Sequence, residues 1–269
     1  MECRLMAGWA TGDNHTEKRR NREWGPLRLL MPVFDIANGG SVTASAAPAD
    51  GNYVTTGEAT HYTAGSGISV SVIKNITITN HEAGSNTARV HLVPNGGSRQ
   101  AANAIYFGTL YLKETVSLSG PFFIDPSDTV RSISSDASGT DLSLRIDYEE
   151  WTGHPAGVTC IVDDGDALTT SFATYYTCPA SNVQHSNAIV LACNTHTAAV
   201  DVEIAVIPSG QAQANRYNIF TGSLRAGDTL FMGDVLEPFI LEPGDFIQAK
   251  ASTGAVVAFR VTPVEYATP

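Results

Sequence analysis

The chain has 269 residues, 43% hydrophobic and 16% charged, and carries a formal charge of −11 at neutral pH. That hydrophobic content suffices for packed cores and excludes wholesale disorder, and the length lies near the point where one core divides into two. An acidic surface repels phosphate, which argues against nucleic acid as a general partner, and no stretch approaches 18 consecutive apolar residues, so no membrane-spanning helix is expected.

Residues 1–50 read as an N-terminal arm. Met1 to Arg22 is polar and basic, without the apolar core of a signal peptide, so export by the general secretory route is not expected. Residues 1–31 hold six of the 16 basic side chains against four acids, which leaves 10 basic and 23 acidic residues for the body. Trp9, Trp24 and the cluster Lys18, Arg19, Arg20 and Arg22 are candidate assembly residues, because such arms either stay extended or wrap a neighbouring subunit. A solvated basic cluster is the plainer alternative, and Met31-Pro32-Val33-Phe34 would also serve as a start.

Beyond the arm the sequence repeats itself. Ala59-Thr60-His61-Tyr62-Thr63 matches Ala173-Thr174-Tyr175-Tyr176-Thr177, Asn80 matches Asn194, and Val93-Pro94-Asn95-Gly96 matches Ile207-Pro208-Ser209-Gly210, all offset by 114 positions. After a short insertion, Pro121 to Asp128 pairs with Pro238 to Asp245. In chain order the first copy (51–150) predicts strands over Val70–Thr79, Thr87–Val93, Ile105–Tyr111, Thr115–Leu118 and Asp141–Tyr148. Period-two alternation of β-branched and polar residues is the signal, and Pro and Gly mark the turns. A linker, 151–165, follows, with a short strand within Val158–Val162. The second copy (166–269) predicts strands over Gln184–Cys193, Val200–Ile207, Ile219–Leu224, Thr229–Met232 and Ala255–Glu265. The expected class is all-β: two tandem antiparallel β-sandwiches, jelly-roll or immunoglobulin-like, behind an extended arm. Trp151, in the linker, is either a docking anchor or packed on its own chain.

Candidate chemistry is sparse. The four cysteines lack metal-site spacing and read as free buried thiols. The seven histidines form no zinc pattern, and none recurs in the other copy: His61 stands opposite Tyr175 and His91 opposite Ala205. No nucleophile elbow, P-loop or dinucleotide fingerprint occurs. Asp163-Asp164-Gly165-Asp166 lacks the full spacing of a calcium loop and reads as a turn. Asp125/Asp128 and Glu242/Asp245 are paired carboxylates in both copies, but Asp and Pro have backbone reasons to occupy turns. Asn14-His15-Thr16 and Asn75-Ile76-Thr77 fit a glycosylation sequon and carry little weight without a secretion signal. Tyr53, Tyr62, Tyr106, Phe107, Tyr175, Tyr176 and Tyr217 are the aromatics available to stack on a sugar, although strand aromatics are core by default. No catalytic residue, cofactor or metal is therefore expected.

The repeated unit resembles a small β-sandwich module of tailed-bacteriophage structural proteins. The likeness rests on a strand ending in Asn (Ile76 to Asn80; Val190 to Asn194), a strand closing in a V/I-P-x-G turn, and an acid-Pro-x-Asp turn. The second copy follows it more closely through Leu241 to Lys250, and the whole covers about 200 of the 269 residues. What the resemblance implies is a non-enzymatic virion component, made in the bacterial cytoplasm, whose partners are other virion proteins and further copies of itself. Capsid decoration comes first, ahead of the neck, tail or a fibre. A glycan- or receptor-binding module is the alternative, with a host surface glycan as partner.

Overall fold

In the computed structural model, which describes residues 49–82, 84–135, 141–154, 157–232 and 239–267, the described chain is all-β, with two short 3-10 turns and no α-helix. The first half holds β1 (Ala49–Val54), β2 (Ala59–Thr63), β3 (Val70–Asn80), β4 (Asn86–Val93), β5 (Ala104–Leu110), β6 (Thr115–Ile124), β7 (Thr129–Ser134) and β8 (Leu142–Trp151). They form two antiparallel sheets, ordered β1-β8-β3-β6 and β2-β7-β4-β5. Alternation in the sequence decides which side chains point inward. Along β3, Ile76 and Ile78 are fully buried while Thr77 and Thr79 on the other face are partly exposed. The inward side chains of both sheets, among them Ile73, Val90, Leu92, Ile105, Val130 and Leu144, meet in one apolar cluster.

The second half holds β9 (Val158–Cys160), β10 (Asp166–Ala167), β11 (Ala173–Thr177), β12 (Val183–Asn194), β13 (Val200–Ile207), β14 (Asn218–Leu224), β15 (Thr229–Met232), β16 (Phe239–Leu241), β17 (Phe246–Ala251) and β18 (Val257–Ala267). One sheet runs β10-β18-β12-β15, with β16 also paired to β12 and β9 to β18; the other runs β11-β17-β13-β14. Leaving β9 aside, and counting β15 and β16 together as the counterpart of the longer β6, the order repeats that of the first half. The sequence repeat is thus a register match: Thr77 lies opposite Arg145 as Leu191 lies opposite Arg260, and Thr79 opposite Ser143 as Cys193 opposite Ala258.

The segment 151–165, read as a linker with a short strand within Val158–Val162, begins with the last residue of β8, and its short strand is β9, which lies on the second half's sheet with Val264 opposite Cys160. Trp151 is 4% exposed and packs with Val70, Val72, Phe123, Cys160 and Val264, which draws on both halves. It serves its own chain, because an indole of this size within reach of a strand edge gains most by being covered. The other six candidate assembly residues, Trp9, Lys18, Arg19, Arg20, Arg22 and Trp24, lie outside the described residues, as does Cys3; of the arm, only the start of β1 falls within them. Cys160, Cys178 and Cys193 are buried free thiols.

The halves join through one sheet. Leu191, Cys193 and Ala258, on the face of β12 and β18 that points away from their own core, belong to the first half's apolar cluster. Phe231 brings its ring within 6.1 Å of Phe122. Two glycines allow the backbones to close: a Cβ on Gly165 would lie 2.5 Å from the Ala102 carbonyl, and one on Gly227 would lie 2.6 Å from that of Phe107. Both have positive φ, 80° and 78°, so glycine is doubly required. In the first half the positions matching Leu191 and Cys193 are Thr77 and Thr79. Exchanging them tests the joint: Leu191→Thr should lower the unfolding free energy by about 2–4 kcal/mol in urea titration. Thr77→Leu should change it by no more than about 0.5 kcal/mol.

Candidate functional site

Two of the polar features that both copies share brace backbone. Asn80 is fully buried, and its amide donates to the carbonyls of Gly84 (2.8 Å), Leu110 (3.1 Å) and Tyr111 (3.1 Å) while its oxygen accepts from the Glu82 N–H. Asn194 repeats this with Ala198, Leu224, Arg225 and His196. The paired carboxylates resolve the same way. Asp128 accepts from the N–H of Asp125, at the head of its own turn, and from that of Asn95 in the V-P-x-G turn. Asp245 accepts from Glu242 and Ser209 at the matching positions. The two turn motifs are therefore one structure, in which the aspartate of one turn holds the other. Burial raises the Asp128 carboxyl, and the two N–H donors oppose that rise.

A third shared constellation has no signature in the sequence. The Tyr62 hydroxyl lies 2.8 Å from Ser71 Oγ and donates to Glu150 at 2.7 Å, and Tyr176 does the same with Ser186 (2.7 Å) and Glu265 (2.9 Å). Burial pushes both phenols well above the ordinary tyrosine value. The networks pin β2 to β3 and β8, and β11 to β12 and β18.

Among the described residues, the buried histidines, His61 and His91, belong to the first half. His61 Nε2 is hydrogen-bonded with Ser132 Oγ, and burial lowers its pKa to about 4. His91 Nδ1 lies 3.0 Å from Asn103 Oδ1 and 3.1 Å from the Gln100 carbonyl; burial likewise lowers it to about 4, against the pull of Asn103. It fixes the 3-10 turn Ala101–Asn103 that abuts the second half. Asp163 is a brace as well, accepting from the N–H groups of Gly165 (2.8 Å) and Val261 (2.6 Å). Its carbonyl receives the guanidinium of Arg260, which is 4% exposed. Burial works against the Arg260 charge, and Asp163, Asp164 and Asp128 are the charges that sustain it. No group of three His, Cys, Asp or Glu among the described residues is arranged to hold a metal ion.

The copies also differ on an exposed face. An open groove of about 680 Å³ on the second half is lined by Glu203, Asn215, Asn218, Ile219, Phe220, Thr221 and Lys250. Lys250 Nζ lies 2.8 Å from Glu203 Oε1 and 4.7 Å from the centre of the Phe172 ring, and Asn218 donates to Glu203 and Thr221, each at 3.2 Å. The register places Arg89, Phe107 and Ile133 at the positions of Glu203, Thr221 and Lys250, and Arg89 stacks 4.3 Å over Phe107. Of the tyrosines available for sugar stacking, Tyr53 is 51% exposed, Tyr62 and Tyr106 are buried, and Tyr175, Tyr176 and Tyr217 are half-buried. In the sequon within the described residues, Asn75 donates to Thr77 and accepts from Ser117.

No family model and no curated protein matches the chain. Among solved structures, the N-terminal CBM22-1–CBM22-2 tandem domain of Paenibacillus barcinonensis Xyn10C is 9% identical, covers 86% of this chain and 93% of its own, and has a TM-score of 0.26. An F-lectin (fucolectin) from striped bass (Morone saxatilis) serum is also 9% identical, covers 74% and 80%, and has a TM-score of 0.22. Superpositions this loose inform neither fold nor function.

The histidines predict an acid response. An imidazole at about 4 in the fold and at its ordinary 6.5 when unfolded leaves the unfolded chain with more bound protons between those values. Stability is thus full above about pH 6.5 and falls as the pH drops toward 4, with a slope approaching about 2.7 kcal/mol per pH unit for two sites. The raised carboxyls of Asp125, Asp128 and Asp163 act in the opposite sense at lower pH. Denaturant midpoints measured from pH 7 to 4.5 should fall, and His61→Gln or His91→Gln should each remove about half of the slope.

Proposed function

We propose that the chain is a non-enzymatic structural protein of a tailed-phage virion, assembling on the capsid exterior as a decoration or cement protein, or at the neck or tail. Each half is, in this reading, an antiparallel β-sandwich of jelly-roll type. Eight strands per half in the orders 1-8-3-6 and 2-7-4-5, equating each copy strand by strand, support jelly-roll over immunoglobulin-like topology. The observation that carries the functional reading is the use made of the shared polar side chains. Asn80/Asn194 and Asp128/Asp245 hold backbone and the Tyr-Ser-Glu networks tie strand to strand, which supports reading what was duplicated as scaffold. The largest exposed apolar side chains, Tyr53, Tyr111, Leu112, Phe231 and Ile240, sit on sheet faces or turns, where protein neighbours would cover them.

The partners are other virion proteins and further copies of the chain, with neither nucleic acid nor membrane among them, and the protein is made in the host cytoplasm. The groove beside Lys250 supports a second reading, a glycan- or receptor-binding module of a fibre or tail component. Amides and an ion pair next to Phe220 and Phe172 have the mixed polar and aromatic chemistry that saccharides meet in protein sites.

The two readings separate experimentally. Mass spectrometry of purified particles should find the chain at stoichiometric levels, and antibody labelling in electron micrographs should place it on the capsid shell, neck or tail. Its absence from particles that infect normally would overturn the structural reading. Saturable binding on a glycan array, weakened at least about tenfold by Asn218→Ala or Lys250→Ala, would favour the second.

A further inference from the structure

The internal joint is made of two parts, and each has a counterpart that is not buried in a joint among the described residues. The first part is an edge: the turn Ala101–Asn103 with β5, where Asn103, Ala104, Ile105 and Tyr106 are all buried. Its match on the second half is the turn Asn215–Tyr217 with β14, where Tyr217, Asn218, Ile219 and Phe220 are all partly exposed. The second part is a sheet face and its rim: Leu191, Cys193, Phe231, Ala258 and Arg260, with the turn around Gly227. Its match on the first half is Thr77, Thr79, Ser117, Ser143 and Arg145, with the turn around Lys113. This free face carries unexplained apolar groups. Tyr53, opposite Ser143, is 51% exposed, and Tyr111 and Leu112, on the rim turn, are 57% and 54% exposed.

We propose that a second copy of this chain docks its first-half face on the free edge of the second half, repeating the internal joint head to tail. Charge supports the pairing. Arg260 is buried in the joint with its guanidinium on the Asp163 carbonyl, and the acids that sustain its charge include Asp128, at the end of the acid-Pro-x-Asp turn. Arg145, its register match, is exposed, and the matching turn on the second half presents an exposed Glu242. Small hydroxyls in place of Leu191 and Cys193 make the outer contact weaker than the inner one, as suits a joint formed between molecules and not during folding. Lys113 stands where Gly227 admits a close carbonyl, and its φ of 56° already suits glycine. A contact between unlike surfaces does not cap itself, so it propagates into a ring or a filament according to its angle.

The proposal concerns how copies meet and holds wherever the protein resides, so particle proteomics and the following test fail independently. Sedimentation velocity of the full chain over a concentration series should show association that grows with concentration. Arg145→Glu or Glu242→Arg should weaken it by at least about tenfold, and combining the two should restore most of the loss. Lys113→Gly should strengthen it several-fold. Circular dichroism and thermal melts unchanged by these surface substitutions would show that folding is intact. A monomer at every concentration would overturn the proposal. So would association indifferent to Arg145→Glu, Glu242→Arg and Leu112→Ser, including association lost only on deleting residues 1–48.

Discussion

The sheet formed by β12 and β18 is buried on both faces, and the arrangement of the rest of the body follows from that. From Val257 to Val264 every residue of β18 is buried, and β12 is buried without a break from Val190 to Asn194. Alternate side chains serve different cores: Val190, Ala192, Phe259 and Val261 pack inside the second half, while Leu191, Cys193 and Ala258 complete the first. A sheet used in this way cannot slip by one residue without exchanging two packed interiors at once. The register is thus fixed more firmly than one buried face would fix it, and the halves are held as one body without a long linker.

The turns explain how the same framework tolerates such different surroundings. In each half a buried asparagine collects three carbonyls from loops at one end, and an aspartate clamps two turns at the other. Backbone groups at strand ends would otherwise be left unpaired as the sheets close, at about 1–3 kcal/mol for each buried one. Because these side chains spend their hydrogen-bonding capacity locally, strand faces are free to vary. Arg89, stacked over Phe107 in one half, and Glu203, paired with Lys250 in the other, occupy the same register position without disturbing the ladder.

Much of this was legible in the sequence, for a physical reason. Period-two alternation located β3, β4 and β13 to within a residue, since one wet face and one dry face leave a pattern, and the repeat then placed β12. It was lost where both faces are dry. Val190-Leu191-Ala192-Cys193 contrasts with Ile76-Thr77-Ile78-Thr79, and that contrast is the one sequence sign of the joint, visible only when the copies are aligned. The reading of Asp125-Pro-Ser-Asp128 as a turn agrees with its geometry, whereas its grip on Asn95 depends on a contact across 33 positions. The Tyr62-Ser71-Glu150 network spans 88 positions and could not be read from spacing at all. Trp151 illustrates the opposite difficulty: an indole between two strand-rich copies is equally compatible with docking outward and folding in, and only the placement of β9 beside it decides.

Arg145 and Arg260 show what the duplication has done with one inherited residue. Both stand at the same register position, opposite Thr77 and Leu191. In water, Arg145 pairs with Asp147 at 3.0 Å, an exposed contact of little consequence for stability. Inside the joint, Arg260 has lost nearly all its water, and a guanidinium there persists only when acceptors and opposing charges stand in for it. The Asp163 carbonyl accepts from it, and the charges of Asp163, Asp164 and Asp128, from both halves, favour its ionised form. Such a group adds less net stability than an apolar side chain of the same size would, but it penalises any docking angle that separates it from those acids. The joint therefore draws its strength from Leu191, Cys193 and Ala258, and its geometry from a buried charge whose acceptor and opposing charges come together in one arrangement.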